Sequence, residues 1–459
     1  MKPRLVLALA ASLCAACSAP LAQSPASDPP AVLVTQNTMA LPPMPSFGAP
    51  RPLPLNRANS DMARDILDLT FRTERDQDLP VLTRFESPLT LAVIGQVTPD
   101  LTQELDRLLQ RLKREAGLDI QRVGAGENPS LTIEAIRQKD LQKIVPGAGC
   151  FVLPTAISFN SFAANTRRSQ FLWSRLTTRE KATIFLPSDT SRQRIRNCLH
   201  EELAQSLGPI NDLFRLEDSV FNDDGMHNVL TSFDMLALRA IYDPALHSGM
   251  TRPEVAAHLP EILDRLNPAG RKIPAAPLAA TSLAWREAYH RSRSSQDLLM
   301  RLRAGEYAVS LAAKAGWSDT RLGLSWLSLG DALAPSSDAD AEAAYANAAR
   351  IFAQRPNGDM AQMRAGAALA SYALIKGDYA GAAQLAERHL PAALKGEDAQ
   401  LLTTLYFQKS EALNGLGQRN ASVKAGLAGL AWAQYAYKTP QEIVSAATRI
   451  AEQAKRGAP

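Results

Sequence analysis

The sequence lacks several features that mark particular classes of protein. It has no large excess of either charge, because 50 Lys and Arg residues against 46 Asp and Glu residues leave a formal net charge of +4 over 459 residues. It has no dense Lys/Arg run with interleaved aromatic residues, which argues against nucleic-acid binding. After the first residues no apolar run is long enough to cross a bilayer. No Gly-rich loop of the kind that cradles phosphates stands out either.

The first residues have the pattern of an export signal. A basic start precedes an apolar run over residues 5–16 that is too short to span a bilayer stably. Residues 13–17, Leu-Cys-Ala-Ala-Cys, resemble the box that lipoprotein signal peptidase recognises, although a cysteine stands where that box has an aliphatic residue. We therefore predict a lipoprotein signal peptide over residues 1–17, with lipidation of Cys17. Signal cleavage near Ala22, which gives a soluble periplasmic protein, is the alternative.

The residues after Cys17 predict the membrane in which the protein is anchored and a tether that follows the anchor. Ser18 is not the acidic residue expected for retention in the inner membrane, so resemblance to other lipoproteins implies a periplasm-facing protein of the outer membrane. Residues 18–59 are rich in Pro, Ala and Ser, a composition that cannot bury a core. This segment is predicted to be a disordered tether that holds the folded part away from the membrane.

Cysteine is scarce beyond the signal region, where only Cys150 and Cys198 occur. An even number of cysteines in an exported chain favours pairing, because the periplasm is oxidising. We predict a disulfide between them, and two buried free thiols are the alternative.

Residues 60–250 alternate between strand and helix patterns, which predicts a sheet domain in a chain of the α+β class. Strands are predicted at residues 89–94, 120–123, 131–136, 149–153 and 182–186. Amphipathic helices are predicted at 101–116 and, after the capping residue Ser191, up to residue 207. A connector over residues 251–281, which includes a helix near 253–266, completes this part of the chain.

Residues 282–457 are rich in alanine, helical in pattern and repetitive. Residues 326–333, Trp-Leu-Ser-Leu-Gly-Asp-Ala-Leu, have counterparts roughly forty residues later and again at 409–413. Gly305 and Gly377 each precede an acidic residue, a tyrosine and an alanine, and we interpret both as turns that open a second helix. These residues resemble the tetratricopeptide family, which implies three or four helical hairpins and a closing helix.

Stacked hairpins of this kind form a curved groove. The resemblance implies that a protein or peptide partner binds in that groove. A purely structural role, in which the array caps the sheet domain, is the alternative.

The helix that ends at residue 207 carries the densest group of polar residues. A His-Glu-x-x-His zinc motif fails at His200, because Ala204 stands at the second ligand position and cannot bind zinc. Starting one residue later, Glu201-Glu202-x-x-Gln205-x-x-Gly208-x-x-Asn211-Asp212 resembles the metzincin pattern His-Glu-x-x-His-x-x-Gly-x-x-His-Asp. The resemblance places Glu202 at the general-base position. It places degenerate ligands at Glu201, Gln205 and Asn211, and Asp212 at the trailing acid.

Separated blocks over residues 60–250 resemble a bacterial family of lipoproteins catalogued as domain-of-unknown-function family 2927. The blocks include Asp65 to Arg72, Leu82 to Glu86, Cys198 to Asp212, Ser219 to Asp223 and Leu246 to Met250. The resemblance implies a zincin-like twisted sheet with helices and no established activity.

Ligand chemistry argues against a zinc cofactor, because amide oxygens of Gln and Asn are weak zinc ligands. A harder cation such as calcium remains open at Glu201, Gln205, Asn211 and Asp212, and a polar hydrogen-bonded network that fixes the following loop is the alternative. We therefore expect a non-enzymatic envelope scaffold with a degenerate metallopeptidase-like domain. The second hypothesis is a metal-dependent peptidase that uses Glu202 as general base.

Overall fold

The structure is a computed structural model that describes residues 41–49, 52, 55–74, 76–167, 169–222, 224–277, 280–355 and 359–457. The predicted signal peptide, the lipidation site Cys17 and the first part of the predicted tether lie outside the described residues. Within the described ranges, no helix combines the length and the apolar character that crossing a membrane requires.

A mixed sheet of five strands forms the centre of the N-terminal part. The strands are β1 (Leu89–Gly95), β2 (Ile120–Arg122), β3 (Leu131–Ile136), β4 (Phe151–Leu153) and β5 (Ala182–Pro187), in the order β2-β1-β3-β5-β4. The first four strands in that order are parallel, and β4 pairs with β5 in the antiparallel direction. All six residues of β5 are buried, as expected for a strand that is covered on both faces.

Seven helices surround this sheet among the described residues. They are α1 (Asn59–Thr70), α2 (Pro99–Arg111), α3 (Gln138–Ile144), α4 (Phe159–Ala164), α5 (Arg192–Leu207), α6 (Ser232–Ile241) and α7 (Arg252–Leu266). A π-helical turn, Leu112–Ala116, continues α2. Helix α7 packs against α1 and buries Val255, Leu259 and Ile262 in the same core, although the sequence placed it in a connector.

The C-terminal part is an array of nine described helices. They are α8 (Leu283–Ser294), α9 (Leu298–Lys314), α10 (Thr320–Leu333), α11 (Asp338–Phe352), α12 (Asp359–Ile375), α13 (Tyr379–Lys395), α14 (Ala399–Gly415), α15 (Arg419–Ala436) and α16 (Pro440–Arg456). Consecutive helices from α8 to α15 pack as four pairs, and α16 packs against α12 and α14. The sheet domain with helices and the all-helical array together confirm the predicted fold class.

Small residues allow helices of the array to approach each other closely. Two of the glycines, Gly305 and Gly377, were predicted to lie in turns, and only one of them does. Gly377 lies in a turn with φ +74°, directly before α13, as predicted. Gly305 lies inside α9 instead, so the predicted turn at this position is wrong. A Cβ atom at Gly305 would lie 3.2 Å from the Cα of Leu329 in α10, so this glycine serves helix packing.

The end of the predicted tether is packed on the array. Phe47 is 6% exposed, and its ring lies 4.7 Å from the ring of Trp432 and 5.2 Å from that of Tyr435, both in α15. The side-chain amide of Gln434 donates a hydrogen bond to the carbonyl of Pro42. Residues 41–49 therefore form part of the folded molecule.

Candidate functional site

Helix α5 positions most of the polar residues that the sequence singled out. The hydroxyl of Ser191 caps its N-terminus by accepting a hydrogen bond from the backbone N–H of Arg194, as predicted. Ile195, Leu199 and Leu203 are buried in the core at helical spacing. Asn197, Glu201 and Glu202 lie on another side of the helix, beside a loop formed by residues 219–222 and 224–230.

A buried arginine holds the C-terminal end of α5. The guanidinium of Arg179 donates hydrogen bonds to the carbonyls of Gln205, Ser206 and Gly208 at 2.6–2.7 Å. These carbonyls belong to the last turn, which has no partners within the helix. Burial lowers the pKa of Arg179 to about 10, so the guanidinium stays charged at neutral pH. Arg179 thus fixes the chain where α5 ends at Gly208.

A cavity of about 240 Å³ lies beside α5. Five residues of α5 line it, namely Arg194, Asn197, Cys198, Glu201 and Glu202. Its other walls are formed by residues 149–150 and by the loop residues Val220, Gly225, His227 and Asn228. Arg194 and Gly225 are exposed whereas Glu202 is buried, so the cavity runs from a basic mouth to an acidic floor.

Glu202 is the most unusual residue of this cavity. Its side chain is 4% exposed, and its Oε2 atom is buried with no hydrogen-bond partner among the described residues. Burial raises the pKa of Glu202 well above its usual range, and the negative charges of Glu201 and Glu74 raise it further. The carboxyl group therefore keeps its proton to a higher pH than an exposed glutamate does.

The two histidines near the helix differ in role. His200 is buried, and its Nδ1 atom accepts a hydrogen bond of 3.1 Å from the backbone N–H of Leu230. Burial and the charges of two arginines lower the pKa of His200 well below its usual range, so it is a neutral structural residue. His227 lines the cavity, and within the part of the chain that the structure describes its buried Nδ1 atom has no hydrogen-bond partner. Burial, together with Arg364 and Lys395, lowers the pKa of His227 to about 4.

The structure gathers only part of the predicted ligand set. Glu201 and Glu202 line the cavity together, whereas its described lining does not include Gln205, Asn211 or Asp212. The amide of Asn211 is engaged at both ends: it donates to the carbonyl of Asp68 and accepts from the backbone N–H of Asp212. This arrangement matches the hydrogen-bonded network that was the alternative interpretation of these residues.

A metal site would have to form from the remaining donors. Among the described residues, one group of three His, Cys, Asp or Glu side chains has its ligand atoms within 4.8 Å of one another: Cys150, Glu201 and Glu202. Cys150, however, is bonded to Cys198 in the disulfide that the sequence predicted. A disulfide sulfur is not a thiolate and offers no strong zinc ligand, so two carboxylates remain. This donor set does not fit zinc.

The loop over residues 219–230 connects the cavity to the helical array. Gly225, His227 and Asn228 face the cavity, while Met226, 4% exposed, packs in the apolar cluster of the array. Arg364 of α12 donates a hydrogen bond of 2.8 Å to the carbonyl of Gly225. The helical array, for which the sequence predicted a partner groove, is therefore covered in part by the chain's own loop.

Two further contacts join the sheet domain to the array. The ring of Phe214 lies edge-on to Trp285 of α8, with ring centres 5.1 Å apart. At the start of α5, the side-chain amide of Gln193 donates to the carbonyl of Glu397 and accepts from the backbone N–H of Ala399. Gln193 also donates to Asn197, a residue of the cavity wall, so a chain of hydrogen bonds runs from the array to the cavity.

Several of these residues were missed in the sequence. His227 was considered there only as an additional ligand that a metal site could recruit, and Arg179 carried no signal at all. Asn228 and Val220 reach the cavity through a loop that is held by the carboxylate of Asp234, which accepts from the backbone N–H groups of Val220 and Thr231. No spacing rule relates this loop to α5, because tertiary packing alone brings them together.

No curated protein and no solved structure matches the chain. A family model does match part of the chain, residues 59–261. This region is less than half of the 459 residues and contains the sheet, α5 and the cavity. Over that region the chain matches the model of the family described as Protein of unknown function (DUF2927).

Proposed function

We propose that the protein is a lipid-anchored scaffold of the bacterial cell envelope whose helical array binds a protein or peptide partner. The observation that carries this proposal is that the array holds an extended segment of its own chain, residues 41–49. Phe47 of that segment packs on Trp432 and Tyr435, and Gln434 binds the carbonyl of Pro42. An aromatic anchor together with backbone hydrogen bonding is how extended peptides are recognised in general.

The partner surface in this proposal is the face of α15 around Trp432. The part of the array around Trp285 is less suitable, because Phe214 of the sheet domain packs edge-on to that ring and Met226 is buried in the same apolar cluster. Phe47 also lies beneath the guanidinium of Arg196 in α5, 5.6 Å from its ring centre. A partner segment with an aromatic residue and prolines would make the same contacts from another chain.

A peptide-exchange experiment tests the surface. The full chain with Phe47→Ala should bind a fluorescent synthetic peptide of residues 41–49 more tightly than the unaltered chain does, because its own segment no longer fills the surface. Adding Trp432→Ala should abolish that binding, and a peptide with alanine in place of its phenylalanine should not bind. Absence of peptide binding to the Phe47→Ala chain, measured by fluorescence anisotropy, would contradict the proposed surface.

A crosslinking experiment in cells tests the scaffold role itself. A photoreactive amino acid at Ala431, beside Trp432, should give one discrete crosslinked protein after irradiation. The matched position is Lys424, which is exposed on the same helix but lies nearly two turns away. Identical products from both positions, or none from Ala431, would argue against a partner at this surface.

The anchor belongs to the same proposal and is tested separately. The unaltered chain should fractionate with the outer membrane, and Cys17→Ala should release it to the soluble periplasmic fraction. A soluble unaltered chain would favour the alternative cleavage near Ala22.

A metal-dependent hydrolase is the second candidate, and the buried carboxyl of Glu202 favours it. A carboxyl whose pKa is raised by burial is the kind of group that serves as a general acid or base. Protein purified without chelators would then contain a stoichiometric metal that is lost on combining Glu201→Ala with Glu202→Ala. Metal-free protein without peptidase activity would favour the scaffold hypothesis over the hydrolase hypothesis.

A further inference from the structure

The cavity beside α5 contains two buried polar atoms that have no hydrogen-bond partner among the described residues. One is Oε2 of Glu202 on its floor, and the other is Nδ1 of His227 on its wall. Burying an unsatisfied polar atom costs about 1–3 kcal/mol, and natural proteins seldom retain such atoms without a reason. A ligand that presents N–H donors to both atoms would remove that cost.

The charges around the cavity select a cationic donor. Glu201 and Glu202 are adjacent carboxyl groups, and Glu74 adds a further negative charge that acts on Glu202. His227 has a pKa of about 4 and is therefore neutral at neutral pH, so in the tautomer protonated at Nε2 its Nδ1 atom is an acceptor. The floor of the cavity thus attracts one positive charge, and the wall accepts one further hydrogen bond.

A metal ion is a poorer occupant than an ammonium group. With Cys150 held in its disulfide, two carboxylates are left, whereas calcium takes about 6–8 oxygen ligands and zinc about four ligands. The cavity of about 240 Å³ is also far larger than a single ion requires. Part of its wall is apolar, formed by Val220 and the disulfide, which suits a small side chain.

We propose that this cavity binds the free N-terminus of a peptide, with its ammonium group on Glu202 and Glu201 and its first peptide N–H on His227. The peptide leaves through the mouth beside Arg194. The volume of the cavity admits one or two residues, so the site binds only the N-terminal end of a peptide. This site is separate from the α15 surface and does not depend on it.

Calorimetric titration of the full chain tests the proposal without any mutation. Alanyl-alanine amide, which has a free ammonium group, should bind, and its N-acetyl form should bind at least about tenfold more weakly, because the charge-assisted hydrogen bonds are lost. Equal binding of both compounds, or no binding of the free amine at millimolar concentration, would overturn the proposal.

Two variants and a metal titration locate the site. Glu202→Gln should weaken binding of the free amine by about tenfold or more, and His227→Ala by a smaller factor. Glu261→Gln, on an exposed position of α7, is the control and should leave binding unchanged. One-to-one binding of calcium or manganese that is lost in Glu202→Gln, without amine binding, would assign the cavity to a metal instead. Glu202→Gln should leave capture of the 41–49 peptide unchanged, so this site and the α15 surface can fail independently.

Discussion

Glu202 lies in surroundings that oppose its negative charge. Its carboxyl group is buried, one oxygen lacks a donor, and Glu201 and Glu74 add negative potential. Glu104 of α2 is also buried but is paired with Arg192 and Arg196, and these partners lower the pKa of Glu104 despite its burial. The contrast shows that the partners of a buried carboxyl group determine the direction of its pKa.

Replacing Glu202 should change how stability depends on pH. The pKa of Glu202 is higher in the folded chain than in the unfolded chain. The free energy of unfolding therefore falls as the pH rises from the pKa of Glu202 in the unfolded chain through its pKa in the folded chain. Glu202→Gln removes this loss and should raise the free energy of unfolding at pH 8 by more than about 1 kcal/mol, with little change at pH 4. Urea unfolding at both values measures the effect. Glu261→Gln should follow the unaltered chain, and an equal shift in that variant would exclude a specific role for Glu202.

Arg179 is a residue whose loss should be costly. Arg179→Met keeps a long side chain but leaves the carbonyls of Gln205, Ser206 and Gly208 without donors. We expect destabilisation by about 3–5 kcal/mol, because each buried unsatisfied group costs about 1–3 kcal/mol. The exposed Arg175→Met serves as the control and should change stability by less than about 0.5 kcal/mol. Thermal unfolding followed by circular dichroism compares the two, and a similar loss in both variants would refute the capping role.

At the scale of elements, the array depends on glycines where helices meet. Gly330 of α10 faces the ring of Tyr345 in α11, and a Cβ atom there would lie 2.7 Å from the ring. The ring cannot move away easily, because Tyr345 is 5% exposed and its hydroxyl donates to Asp331. The close packing of α10 against α11 therefore requires a residue without a side chain at position 330.

Gly330→Ala should destabilise the protein even though alanine favours helices. Overpacking costs about 1–3 kcal/mol, and the gain in helix propensity offsets up to about 1 kcal/mol of it. We expect a net loss of about 1–2 kcal/mol in urea unfolding. Gly126→Ala meets no atom within 4 Å and should be neutral. An increase in stability for Gly330→Ala would mean that the two helices separate without cost.

At the scale of the whole molecule, the sheet domain and the array share a buried interface. Met226 and Phe214 pack in the apolar cluster of the array, and Glu217 accepts hydrogen bonds from Thr320 and Arg355. Asp224 is buried in the same region, and burial raises its pKa to about 7. The two parts are therefore expected to unfold together.

Met226→Asp should separate the two parts. A carboxylate placed in the apolar cluster of the array has no partner there, so the interface should open before either core is lost. We expect the single calorimetric transition of the unaltered chain to split into two. Met300→Asp, on a methionine that is 40% exposed, is the control and should keep one transition. An unsplit transition for Met226→Asp would show that other contacts alone hold the parts together.

The sequence predicted the elements well and the site only in part. All five strands and α5 with its Ser191 cap lie where periodicity and capping residues placed them, because these signals are local. Gly305 was assigned to a turn, because a glycine before an acidic residue and a tyrosine gives the same local signal in a turn and in a helix crossing.

The sequence by itself determined the secondary structure, the sheet and array classes and the pair of acidic residues on α5, because helix and strand periods are encoded in neighbouring residues. Only the tertiary structure decided that Glu202 and His227 line one cavity, that Asn211 is held by backbone groups and that Phe47 and Met226 pack on the array. These contacts join residues far apart in the chain. The physical reason is that burial and partner choice depend on how separate elements pack, which no local pattern specifies.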